Sequence, residues 1–202
     1  MNFEINFNKR LEKDFFMQAT EIVARNLIGK VLVRNINGTY VAAMIVEAEA
    51  YLAENDLASH SAVGITNRNR PMFEDGGTIY VYKIYGVHHC VNIVTESKGK
   101  GCAVLIRAGE PIFGIEIFRQ FRNHINSNKI LSGPGNFAKG FNFTLSDNFK
   151  TLFTPELFVQ DFLHFDEKEI GASPRIGIVK STDLLLRFYL KNCKSVSAKP
   201  KD

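Results

Sequence analysis

The run IVEAEAY, from Ile45 to Tyr51, constrains the fold more than any other stretch of the chain. Val46, Ala48 and Ala50 alternate with Glu47, Glu49 and Tyr51, and a period of two belongs to a strand, not to a helix. One face is expected to pack and the other to turn outward with two carboxylates and a phenol. The strand begins earlier: KVLVR reads as one arm, Asn37-Gly38 as the turn and TYVAAMIVEAEAY as the returning arm. Glu49 is thereby placed near the end of a hairpin arm. Downstream, β-rich runs predict strands at Thr78–Lys83, His89–Thr95 and Cys102–Ala108, separated by Tyr85-Gly86 and by the SKGKG turn. Such a meander makes the sheet largely antiparallel.

Two helices are expected against this sheet. TEIVARNLIG runs from Thr20 as N-cap to Gly29 as C-cap, with Ile22, Val23, Leu27 and Ile28 as its apolar stripe. GEPIFGIEIFRQFRNH starts behind Pro111 and carries Ile112, Ile115, Phe118 and Phe121 at helical spacing. LSGPGNFAKG reads as a Gly/Pro loop leading to a further helix, and PRIGIVKS and DLLLRFYL read as two more strands. With 202 residues and no low-complexity break, the chain fits one domain with a substantial core. The expected class is α+β: a single domain with a curved, mainly antiparallel β-sheet flanked by helices. Residues 1–12 form an N-terminal extension without an assigned element, 13–196 the domain and 197–202 a frayed tail.

Composition narrows the setting. Cys90, Cys102 and Cys193 are odd in number and lack C-x-x-C spacing, so neither a disulfide framework nor a zinc knuckle is indicated. The opening MNFEINFNKRLEKDFF carries acids and amides where a signal peptide needs an apolar run, and no run of about 18 apolar residues occurs. An intracellular, cytoplasmic protein without a membrane span is expected. The net charge of +4 suits a polyanionic partner but also describes many proteins without one.

The stretch from Ile45 to Asn92 concentrates the reactive side chains. Leu52 to Gly77 has little periodicity, presents His60, and holds Arg68 and Arg70 in TNRNRP, a loop suited to anionic ligands. Tyr80, Tyr82 and Tyr85 follow on or beside a hairpin, where aromatic rings are available for stacking. Taken alone, Glu47 and Glu49 read as a solvated strand face, Arg107 as a surface ion pair and Asn92 as an internal amide.

Seven blocks, in order, change that balance: VEAEAYLAENDLASHS, RNRPMF, GTIYVYKIYGVHHCVNI, AVLIRAGEP, LSGPGN, PRIGI and LRFYL. Together they resemble the alkyladenine (3-methyladenine) DNA glycosylase family, over roughly residues 15 to 196. The resemblance implies that residues 13–196 form a glycosylase domain that acts as a monomer on double-stranded DNA with damaged purines. It aligns Glu49 with the catalytic glutamate and Arg107 with an arginine that holds the attacking water, with the main-chain carbonyl near Ile178 as a third ligand of that water. A guanidinium beside Glu49 is expected to keep it ionised. Tyr51, His60 and Tyr82 match residues that sandwich the extruded base, and Asn92 matches one that crowds the 2-amino group of guanine. Tyr85 matches the wedge that enters the duplex, flanked by Val87 and His88; Arg68 and Arg70, in the loop suited to anionic ligands, are expected on the phosphates. The chain departs from the family at Asn136, where many members carry lysine; Lys139 is the candidate substitute. No metal-ligand spacing such as H-E-x-x-H occurs, and neither a metal nor a cofactor is expected. Two rivals remain: a non-catalytic module that binds distorted DNA, which would not require Glu49 with Arg107, and a free-nucleoside hydrolase, which would not require an exposed wedge.

Overall fold

The computed structural model describes residues 3–123 and 129–198. Among these residues nine strands join one curled, wholly antiparallel sheet, with helices packed against it, an α+β architecture. Strands β1 (Val31–Ile36) and β2 (Thr39–Tyr51) form the expected hairpin. Asn37 and Gly38 both adopt positive φ, 51° and 87°, the two-residue turn whose twist matches antiparallel arms. Strands β3 (Ile79–Ile84), β4 (His88–Thr95) and β5 (Cys102–Phe113) make the meander, and the order runs β3-β4-β5-β2-β1. Beyond β1 lie β7 (Leu157–Gln160) and β6 (Phe153–Thr154), while β8 (Ile170–Ser173) pairs with β9 (Arg187–Leu190). β5 lies along one edge of β2. The other edge is shared by β1, opposite Thr39–Met44, and β9, opposite Glu47–Glu49. Glu49 therefore sits on a backbone paired on both sides.

The simple alternation of β2 does not survive. Ile45 pairs with Gly109, Glu47 with Ala108 and Ala48 with Ile106, so Val46 is an extra residue on β2 and Arg107 an extra residue on β5. Two opposed bulges restore the register but reverse the faces. Ala43 and Ile45 share the main core with Ala48 and Ala50, while Val46 joins Ala42 and Met44 in a second core on the opposite side. On β5, Ile106 belongs to the first core and Ala108 to the second. Bulges of this kind re-aim side chains beside functional sites. The expected outward face is also absent: Val41 to Ala50 are buried throughout, because the two cores cover both sides.

Among the described residues four short α-helices complete the fold: α1 (Lys13–Phe16), α2 (Thr20–Asn26), α3 (Ile115–Phe121) and α4 (Pro134–Gly140). α2 buries Val23, with Leu27 and Ile28 beyond its end, but Ile22 is exposed and Thr20 is buried within the helix, its hydroxyl on Thr95 and Glu96. Ala19, not Thr20, is the N-cap. The second expected helix starts late, because Pro111 to Phe113 extend β5 and Gly114, at φ 68°, makes the corner. His124, at the expected end of that helix, lies outside the described residues. PRIGIVKS contains no strand, and DLLLRFYL is extended only as β9. At the N-terminus Phe3 packs edge-on against Phe113 and Phe162, and Phe7 packs against Tyr40 and Phe158.

Candidate active site

Glu49 is fully buried, and both of its oxygens are occupied. Oε1 accepts the Ile176 N–H at 2.8 Å, while Oε2 accepts the Tyr51 hydroxyl at 3.0 Å and lies 3.3 Å from Arg107 Nη1. Glu47, equally buried, accepts Arg107 Nε at 3.0 Å, Arg187 Nε at 2.7 Å, and the Ser197 N–H and hydroxyl at 2.6 and 2.9 Å. The Arg107 fork thus spans both carboxylates.

The two acids respond differently to this environment. Burial pushes the Glu47 carboxyl up, but Arg107, Arg187 and the Ser197 donors outweigh it and hold Glu47 below the usual carboxylate range. For Glu49 burial prevails over Arg107, the Ile176 N–H and the Tyr51 hydroxyl, and the Glu47 charge adds to it, so its proton affinity is raised. The expected guanidinium is in place, but the cost of desolvating the carboxylate exceeds its effect.

Tyr51 and the neighbouring loops are fixed by a second buried ion pair, one that the sequence did not reveal. Arg175 grips Asp56 with two hydrogen bonds of 2.6 Å, donates to the Ala50 carbonyl at 2.9 Å, and lies over the Tyr51 ring at 4.5 Å. Asp56 also accepts the N–H groups of Leu52 and Ala58. Leu57 N–H donates to Ser181 Oγ at 3.0 Å, so the segment after β2 and the irregular PRIGIVKS segment are laced together. That lacing delivers the Ile176 N–H to Glu49.

The aromatic group lies beside this centre. His60 Nδ1 is 2.8 Å from the Tyr80 hydroxyl, and its ring meets Tyr82 edge-on with centroids 4.6 Å apart. Burial, then Arg68, lowers the His60 pKa, which favours a neutral ring. Asn69 holds the His60 carbonyl at 2.8 Å, folding the arginine-bearing loop onto the histidine. Asn92 is buried and donates to the Tyr80 carbonyl at 3.0 Å, the internal amide role. Tyr51 and Tyr82 pack on one small cluster of Met72, Tyr80, Val94 and Ala103. Burial raises the Tyr80 hydroxyl to about 12, so it stays protonated.

Tyr85 occupies the β3–β4 turn with φ 50° and is 86% exposed, beside Val87 at 71% and an exposed His88. A bulky side chain with positive φ is uncommon and marks a constrained turn. Arg68 lies 5.4 Å over the Tyr82 ring and donates to the Lys83 carbonyl; Arg70 and Lys139 are exposed. Asn136 is turned inward, its amide on the Ser132 carbonyl at 2.6 Å. A Cβ at Gly135 would stand 3.4 Å from His88 Cβ, so the start of α4 abuts the turn end of the β3–β4 hairpin.

Arg175, Asp56, Arg187 and Ser197 are site residues that motif and spacing do not single out. Arg187 had a usable signal, since a cation inside the apolar run LLLRFYL needs a buried partner. Ser197 falls in the expected tail, yet it and Ala198 hold Glu47 and Arg187; residues 199–202 lie outside the described residues. Among the described residues no group of three or more His, Cys, Asp or Glu is placed to hold a metal ion, and no helix is long and apolar enough to cross a membrane.

Residues 14–194 match the model of the family described as methylpurine-DNA glycosylase. The chain belongs to this family. Among its relatives, a Chlorobium phaeobacteroides protein is 44% identical over 95% of this chain and 96% of its own length. A Methanocella arvoryzae protein is 45% identical over 93% and 95%, and a Clostridium perfringens protein 40% identical over 94% and 100%. All three carry the name "Putative 3-methyladenine DNA glycosylase". The family match takes in every site residue above except Ser197 and Ala198, which lie beyond its end.

Proposed function

We propose that this protein is a monofunctional DNA glycosylase of base-excision repair. It hydrolyses the N-glycosidic bond of alkylated purines of the 3-methyladenine type in double-stranded DNA and leaves an abasic site. The observation that carries this reading is Glu49, a buried carboxylate of raised proton affinity, held at both oxygens and spanned by an arginine. Cleavage passes through a sugar with oxocarbenium character, which calls for a water, a base and nearby negative charge. A water held beside the Glu49 carboxylate and Arg107 gives its proton to the carboxylate as its oxygen bonds to the anomeric carbon. The electrons of the glycosidic bond pass to the purine, which leaves neutral because alkylation at N3 or N7 had made it cationic. No second acid is needed, and among the described residues no lysine contacts Glu49, so neither a Schiff base nor strand cleavage is expected.

Tyr51, His60 and Tyr82 supply the faces against which an extruded base stacks, and Asn92 narrows the pocket edge. The exposed Tyr85, with Val87 and His88, is the filler for the space left in the duplex, where unstacking costs a few kcal/mol. Arg68, Arg70 and Lys139 are the phosphate contacts. Glu49→Gln tests the reading: it should bind methylated duplex yet lose single-turnover release of base. Near-parental release would remove Glu49 from the reaction. Tight binding without release by the unaltered protein would instead favour the binding-module alternative.

A further inference from the structure

We propose that Glu47, clamped by Arg187 and by Ser197 of the C-terminal segment, is a positioning residue that fixes the Arg107 guanidinium against Glu49. This rests on the reading of Glu49 as the base. Glu47 is the more fully satisfied of the two acids, with four donors between 2.6 and 3.0 Å. Three of them come from distant parts of the chain, β9 and the segment after it. Arg107 Nε is bound to Glu47 while Nη1 faces Glu49. Because a guanidinium is a rigid planar fork, fixing Nε fixes the direction of Nη1.

The backbone supports the same role. Arg107 is the extra residue of the β5 bulge and Glu47 pairs beside it; a bulged residue lacks the regular ladder that would otherwise set its side-chain direction. Arg187 is 1% exposed, and besides Glu47 it donates to Ser173 Oγ at 3.0 Å and to the Ala198 carbonyl at 2.6 Å. Arg107 Nη2 reaches Ser197 Oγ at 3.4 Å. Two acids and two arginines balance to zero formal charge, with Glu47 retained as the anion and Glu49 left as the group that can take a proton. The groups acting on Glu49 are Arg107 from β5, Tyr51 and Glu47 from β2, Cys90 from β4 and the Ile176 N–H, with Arg187 opposite it in the ladder.

The test uses Glu47→Gln, Glu47→Asp and Ser197→Ala, with Glu49→Gln as reference, in single-turnover release of 3-methyladenine from methylated duplex DNA across pH. Glu47→Gln should slow release by about 100-fold, the scale of a roughly 1 Å misplacement at a reacting centre. It should also move the acid limb of the rate profile to higher pH, because a guanidinium no longer held against Glu49 lowers its proton affinity less, and this outweighs the smaller effect of losing the Glu47 charge. Glu47→Asp should return the limb to the parental pH with only part of the rate. A folded Glu47→Gln protein with parental rate and limb overturns the inference. Where Glu47→Gln does not fold, Ser197→Ala decides: a loss of about 5-fold, the worth of one hydrogen bond, supports it, and an unchanged rate overturns it. An active Glu49→Gln overturns the underlying reading and the inference with it; an inactive Glu49→Gln beside a fully active Glu47→Gln overturns the inference alone.

Discussion

Replacing Asp56 by Asn should destabilise this protein more than most single changes, and its structure says by how much. Asp56 and Arg175 side chains are both fully inaccessible and share two 2.6 Å hydrogen bonds. Removing one charge of a buried pair leaves the other uncompensated, at a cost of about 3–5 kcal/mol. The amide of the new Asn would also face a guanidinium N–H, donor against donor. In a chain of this size about 1 kcal/mol moves the melting temperature by about 2–4 °C, so the melt should fall by roughly 6–20 °C. The pH dependence has a definite sign. Burial raises the Asp56 carboxyl, but the Arg175 hydrogen bonds, the Leu52 N–H, the Arg175 charge and the Ala58 N–H together hold it below its ordinary value. A depressed carboxyl contributes stability that is fully present above its unfolded value of about 3.9 and is lost as pH falls through the folded value. The parental melt should therefore converge on that of the variant in acid. Calorimetry or denaturant titration across pH measures both effects. The double variant Asp56→Leu/Arg175→Met should recover much of the stability, since apolar replacement of a buried pair is often neutral, but not base release, because Ile176 and Tyr51 lose their tether. A variant that melts within about 2 °C of the parent, less than about 1 kcal/mol, would show that the pair is solvated and the reasoning wrong.

Other expectations concern function. Tyr85→Ala should weaken release from a stable duplex by the loss of a stack worth about 1–3 kcal/mol, and much less from single strands; equal losses on both would make Tyr85 a plain turn residue. Since burial raises Glu49, release should increase with pH along a limb above the ordinary glutamate value of about 4.3 and then level off; a limb below that value would contradict the assignment. Duplex binding should weaken log-linearly with salt, and neutralising Arg68, Arg70 and Lys139 together should reduce the slope by about 2.7 if each holds one phosphate, a change read by fluorescence anisotropy. Excess EDTA should leave release unchanged, since no ligand cluster is found among the described residues; loss of activity restored by a divalent ion would overturn that.

What was legible in the sequence was whatever local periodicity controls. β2 was read at its observed bounds, Thr39–Tyr51, because Asn37-Gly38 fixes the turn and the alternation follows from it. The helix expected behind Pro111 failed in its first turn because helical spacing and a strand end overlap there; the corner at Gly114 depends on a close approach to Val41 and the Tyr40 carbonyl, a contact between elements distant in sequence. PRIGIVKS reads as a strand in sequence, but its hydrogen bonds go to the Glu49 side chain and to the Leu57 loop instead of to a ladder. Such choices are made by tertiary partners, which propensity cannot see.

The same limit explains why the sequence alone marks Glu47 and Glu49 as a solvated face. Alternation predicts that the charged side of IVEAEAY faces water, and it has no means of anticipating a bulge pair that turns Val46 away from Ala48 and Ala50 while a C-terminal segment some 150 residues distant covers Glu47. Only a feature of composition hinted at burial: arginines at 107, 175 and 187 inside or beside apolar runs. Buried cations are kept where anions meet them, and here each does meet one: Arg107 spans Glu47 and Glu49, Arg187 closes on Glu47, and Arg175 closes on Asp56. Three arginines thus account for the three buried acids around Tyr51, and of those acids only Glu49 has its proton affinity raised. An arrangement that fixes two carboxylates as anions and leaves the third able to accept a proton suits the electrostatic requirement of a single general base, which supports the proposal that Glu49 does the chemistry and the other two acids hold its surroundings.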